Sequence, residues 1–70
     1  MTLRHPAEQY RVVVTQRGVQ SWEWEIYRDG APLPIPLRGG YYKAKNTTEA
    51  AGQVALREFL EALVREQKNA

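Results

Sequence analysis

An α+β fold, a three-stranded antiparallel β-meander packed on one C-terminal α-helix, is predicted by three features of this sequence. Tyr10-Arg11-Val12-Val13-Val14-Thr15 is rich in β-branched residues, and Trp22-Glu23-Trp24-Glu25-Ile26 alternates apolar with acidic side chains, the period of a half-buried strand. Asp29-Gly30 is a strong two-residue hairpin signal. Near the C-terminus the period changes: Gly52, Leu56, Phe59, Leu60 and Leu63 fall on one helical face, with Val64 at its border. Residues 1–9 show no period and read as a loose N-terminal arm; residues 10–68 read as a single α+β domain.

The first hairpin can be argued from face matching. Residues directly opposite in an antiparallel pair share a face. A two- or four-residue loop around Gly18 would set Val12 and Val14 opposite Glu25 and Glu23. A three- or five-residue loop instead groups Val12 and Val14 with Trp22, Trp24 and Ile26, and leaves Arg11, Val13 and Thr15 with Glu23, Glu25 and Tyr27. Only the odd loop gives one clean apolar face, with Gly18 supplying the positive φ of the turn.

After Asp29-Gly30, the run Ala31-Pro32-Leu33-Pro34-Ile35-Pro36-Leu37 alternates proline with aliphatic residues. Proline cannot donate to a ladder, so the run is expected as an edge strand, with Leu33, Ile35 and Leu37 turned to the core. The competing reading is a proline-rich recognition peptide. Gly39-Gly40 interrupts the chain, and Tyr41–Lys45 is expected as a short fourth extended segment. The helix is expected to be capped by Asn46 or Thr47, with Glu49 in its first turn, and to end near Gln67.

Gly52 is the anomaly of the helix, since mid-helix glycine costs about 1 kcal/mol against alanine. Its place on the apolar face implies close approach to the sheet, with the ring of Trp22 or Trp24 lying against it.

Seventy residues make one small domain, and the absence of cysteine removes disulfides and thiolate metal sites. No apolar run approaches a membrane span or a signal-peptide core; a cytoplasmic protein without membrane attachment is expected. The net charge of +2 is too small to mark a nucleic-acid binder by composition. Its surplus sits around Arg38, Lys43 and Lys45, beside Gly39-Gly40 and Tyr41-Tyr42. Such a cluster can touch phosphate or an acidic partner, while lysine on an edge strand also discourages edge-to-edge pairing. Tyr41 and Tyr42 are adjacent in one strand, so at least one of them is expected at the surface.

No catalytic residue, cofactor or metal is expected. His5 is the sole histidine, placed in the arm; Ser21 is the sole serine and lacks a nucleophile-elbow context; no glycine-rich loop opens a helix. Glu23 and Glu25 lie about 6.6 Å apart along one strand face. Two carboxylates at that spacing can share acid and base duties, but on an outer face within cross-strand reach of Arg11 they read as solvated partners of cations.

The order Tyr10–Arg17, Trp22–Tyr27, Asp29-Gly30, then Tyr42 shortly before a helix opening at Thr47, resembles the YegP-like family of small bacterial proteins. The resemblance covers roughly residues 10–64. It implies a short β-meander with one helix, commonly in tandem copies, and no established function; a single copy then implies a homodimer in place of the tandem pair. The prolines at 32, 34 and 36 depart from that pattern. The same layout, with Trp22–Asp29 followed by Thr48-Glu49-Ala50-Ala51, is similar to the AP2 and integrase arm-type DNA-binding domains. That similarity implies DNA reading by the outer sheet face, here Arg11, Val13, Thr15, Glu23, Glu25 and Tyr27, whose two acids suit phosphate poorly.

The expected function is accordingly a non-enzymatic interaction module, self-associating, with an unidentified protein partner. Its expected surfaces are Arg38, Tyr41, Tyr42, Lys43 and Lys45, and the outer sheet face with Arg11, Glu23, Glu25 and Tyr27. The alternative is a DNA-binding module of the three-stranded-sheet type.

Overall fold

A central strand, β2 (Ser21–Arg28), organises the molecule, flanked by β1 (Tyr10–Gly18) on one side and by β3 (Ala31–Pro32) and β4 (Arg38–Tyr42) on the other, all antiparallel to it. The computed structural model describes residues 6–69. A single helical turn, α1 (Pro6–Gln9), leads into β1, and a long C-terminal helix, α2 (Lys45–Asn69), packs on one sheet face. The α+β class is the one the residue periods predict.

The expected loose arm is therefore corrected in part. Pro6–Gln9 form a turn of helix, and the Gln9 carbonyl accepts a hydrogen bond from Asp29 N at 2.8 Å, tying the start of β1 to the second turn. Residues 1–5, including His5, lie outside the described residues.

The β1–β2 hairpin reaches the expected face assignment by a different route. Gly18 pairs with Ser21 across a two-residue turn, and a bulge at Arg17 then shifts the register so that Gln16 pairs with Trp22. An extra residue on one strand inverts every alternation beyond it, so the bulge does what an odd loop would have done. Val12 stands opposite Ile26 and Val14 opposite Trp24, while Arg11, Val13 and Thr15 stand opposite Tyr27, Glu25 and Glu23. Gly18 does not need the left-handed region; positive φ occurs at Asp29 (51°) and Gly30 (83°), the two central residues of the second hairpin. That pair of angles is the primed turn that the Asp-Gly dipeptide favours.

The proline run is not a full edge strand. After Ala31 and Pro32 pair with Arg28 and Tyr27, the chain leaves the sheet over Leu33–Pro36 and returns at Leu37, whose carbonyl accepts a hydrogen bond from Ile26 N at 3.0 Å. Prolines at 34 and 36 have no N–H to give, and the ladder gives way there. Leu33 and Leu37 remain half-buried, whereas Ile35 is 84% exposed, so the three aliphatics do not share a face. The fourth segment exists but starts earlier than expected: Arg38–Tyr42, not Tyr41–Lys45.

The helix likewise opens before its expected caps. Thr48 N donates to the Ala44 carbonyl at 3.2 Å, and the fully buried Thr48 hydroxyl donates to the same oxygen at 2.7 Å. Asn46 Oδ1 accepts from its neighbour Thr47, from N at 2.8 Å and from Oγ1 at 3.5 Å, inside the first turn. The helix continues to Asn69, beyond Gln67.

Between sheet and helix the core is thin. Trp24 and Ile26 are the buried large apolar side chains among the described residues, with Val12, Val14, Trp22, Leu56, Phe59, Leu60 and Leu63 half-buried around them. Trp24 lies against Gly52, as the anomaly in the helix stripe predicts: a Cβ on Gly52 would stand 2.6 Å from Val12 Cγ1 and 3.0 Å from Trp24 Cβ. About two turns further on, Phe59 meets Tyr10 edge to face, with ring centroids 5.0 Å apart at 70°.

Candidate functional site

The sheet face away from α2 is formed by Arg11, Val13 and Thr15 of β1, Glu23, Glu25 and Tyr27 of β2, and Arg38 and Gly40 of β4. A sheet covered on one side leaves the other to solvent, and alternation delivers the charged residues to it. The Arg17 bulge changes its electrostatics. Arg17 Nε donates to Glu23 Oε1 at 2.6 Å, with the Glu23 side chain only 16% exposed and that of Arg17 55%. Glu25 stands opposite Arg38. Each acid is thus provided with an arginine from an outer strand, and Arg11, the expected cross-strand partner, instead stands opposite Tyr27. Glu23 is ion-paired and Glu25 stands in register with an arginine on an open face, so the two do not form a sheltered acid–base pair.

A second register shift shapes the edge. Glu23 pairs with Gly40 but Trp22 pairs with Tyr42, so Tyr41 is the extra residue of a bulge in β4. Tyr42 falls on the helix side beside Trp22 and is half-buried; Tyr41 is pushed outward and is 81% exposed. Arg17, Glu23, Arg38, Gly39, Gly40 and Tyr41 together line a shallow cleft. Gly39 makes its floor possible, because a side chain there would enter the Trp24 indole: a Cβ would lie 2.8 Å from both Cε2 and Cζ2. The Trp24 Nε1 beneath it is buried and makes no hydrogen bond.

The residues grouped by charge in the sequence are only partly brought together. Arg38 and Tyr41 line the cleft. Tyr42 turns to the other side of the sheet, while Lys43 and Lys45 are exposed on the bend and first turn leading into α2. Arg17 is the contributor that sequence reading missed. Its signal was the parity argument itself, since a bulge is the other way to satisfy it. Among the described residues, no three histidine, cysteine or carboxylate groups gather as metal ligands, and no helix is long and apolar enough to cross a membrane.

No protein-family model matches the chain, and neither a curated protein nor a solved structure matches it.

Proposed function

We propose that this chain is a non-enzymatic interaction module that self-associates and presents the β4 edge of its outer sheet face to a protein partner. The observation that carries the reading is the bulged Tyr41, 81% exposed beside Arg38 and the Arg17–Glu23 ion pair. Tyrosine and arginine are the residue types that dominate binding energy at protein interfaces, because each offers a large rigid contact area with a polar end. Gly40, opposite Glu23 on the outer face, allows a partner's backbone to approach the sheet there without obstruction by a side chain.

Light scattering tests the self-association: a particle that stays at the monomer mass of 8.1 kDa throughout the micromolar range rejects it. The binding face is tested by a photo-crosslinking aromatic in place of Tyr41. A discrete adduct that is lost on Arg38→Gln is expected; adducts from exposed Val19 but none from position 41 would reject the face.

The same face supports a second reading, DNA binding, on one observation. Arg17 neutralises Glu23 and Arg38 stands opposite Glu25, so with Arg11 the face carries a net positive charge despite its two central acids. Titration with duplex DNA separates the two readings. Binding that weakens steeply with salt, and weakens again in an Arg11→Gln, Arg38→Gln variant, would favour the nucleic acid.

A further inference from the structure

Helix α2 outruns the sheet it covers. Gly52 lies on Val12 and Phe59 on Tyr10, so the helix runs antiparallel to β1 and its residues after Phe59 lie past the first residue of that strand. At about 1.5 Å per residue, Leu60 to Asn69 carry the helix about 15 Å further. An open apolar groove runs along α2 from over the sheet to past its end, lined by Gln53, Leu56, Arg57, Leu60, Glu61 and Val64. All of these belong to α2; among the described residues no other element contributes to it.

We propose that this strip is the seam of a two-fold dimer, in which α2 of a second copy lies antiparallel across it. The proposal rests on the self-association put forward above and locates it. Leu56 and Val64 stand four residues to either side of Leu60. A two-fold axis through Leu60 therefore sets that residue beside its own counterpart and Leu56 beside the partner's Val64, which is the self-complementarity an isologous interface requires. The borders agree with the same axis. Arg57 falls within one helical turn of the partner's Glu61, and the symmetry repeats the pair. A parallel arrangement would instead set each arginine against its own copy, which is repulsive.

The thin core is a second reason for a partner of this kind. Small domains without disulfides commonly complete their apolar burial by oligomerisation, and here Leu60 and Leu63 are half-buried past the end of the sheet. A seam one helix wide is at the lower end of specific interfaces, about 1,200 Å² in total. The dimer is accordingly expected in the micromolar range, and it leaves Tyr41 and the outer sheet face free.

Sedimentation equilibrium over a concentration series tests the seam with substitutions at exposed positions. Arg57→Glu, Glu61→Arg and Val64→Glu are each expected to raise the dimer dissociation constant about tenfold or more, and the Arg57→Glu, Glu61→Arg double variant to recover the dimer. Far-ultraviolet circular dichroism confirms that each variant is folded. A dimer unaffected by all three single changes overturns the seam while leaving self-association intact. A wild-type chain that stays monomeric overturns both. A chain lacking residues 1–5 that dimerises when the full chain does not would show that the groove is occupied from within, and would overturn the proposal.

Discussion

Gly52 of α2 and Trp24 of β2 are packed so closely that even a methyl group does not fit between their elements. A Cβ on Gly52 would stand 3.0 Å from Trp24 Cβ and 2.6 Å from Val12 Cγ1, and neither neighbour is the free end of a flexible chain. This contact sets the distance between helix and sheet, and with it the burial of Trp24 and Ile26.

Two effects oppose each other in Gly52→Ala. Helix propensity favours alanine by about 1 kcal/mol, whereas overpacking a tight core costs about 1–3 kcal/mol. The stiff β-branched Val12 cannot yield by rotation alone, so the variant is expected to melt at a lower temperature than the parent. Gly52→Leu should fail to fold, since small domains of this kind hold only about 3–5 kcal/mol in all. A thermal melt of Gly52→Ala at or above the parent's would show that the interface can relax.

Gly39 constrains the same indole from the β4 side. Gly39→Ala places a methyl group into the six-membered part of the Trp24 ring and its Nε1. Trp24→Phe removes both the obstructed atoms and the unbonded buried N–H, so part of its cavity cost is offset. The two changes together are expected to destabilise by at least about 0.5 kcal/mol less than the sum of the single effects. Chemical denaturation of the four proteins measures that coupling, and strict additivity would contradict the contact.

Thr48 is fully buried with a polar side chain whose hydroxyl donates to the Ala44 carbonyl. In Thr48→Val the shape is kept and that carbonyl still accepts Thr48 N, leaving no orphaned group. The expected loss is about 0.5–1.5 kcal/mol. Thr48→Asp, which would bring a charge into the same closed space, should prevent folding; denaturation midpoints compare the two.

Ile35 decides between a core role and a surface role for the proline run. As the central aliphatic of an edge strand it would contribute substantially to stability; at 84% exposure its replacement by serine should change stability by no more than about 0.5 kcal/mol. Leu37→Ser, at a half-buried position next to the Ile26 N hydrogen bond, should cost more. Equal losses for the two variants would argue that Leu33–Pro36 packs against the sheet.

Much of this architecture was legible because it rests on local or periodic signals. The Asp29-Gly30 turn needs only two residues tolerant of positive φ. The sorting of Val12, Val14, Trp24 and Ile26 from Glu23, Glu25 and Tyr27 follows from period two and the cost of burying a carboxylate. Gly52 announced a close contact because a glycine inside an apolar helix stripe is unfavourable without one. The helix start differs because Asn46 and Thr47 satisfy the capping preference, while the chain instead buries Thr48 and begins the helix two to three residues earlier, at Lys45.

Residue types and their spacing by themselves determined the class of fold, the two sheet faces and the residue on which the helix rests, since each is dictated by side-chain alternation or by the volume of a single Cβ. Tertiary structure decided the rest. It placed the extra residues at Arg17 and Tyr41, turned Tyr41 outward and Tyr42 inward, and released the prolines from the sheet. Bulges and excursions are settled by how a whole strand must register against β2 to keep Trp24 and Ile26 covered. That energy is summed over the pairing and is not carried by any short run of sequence.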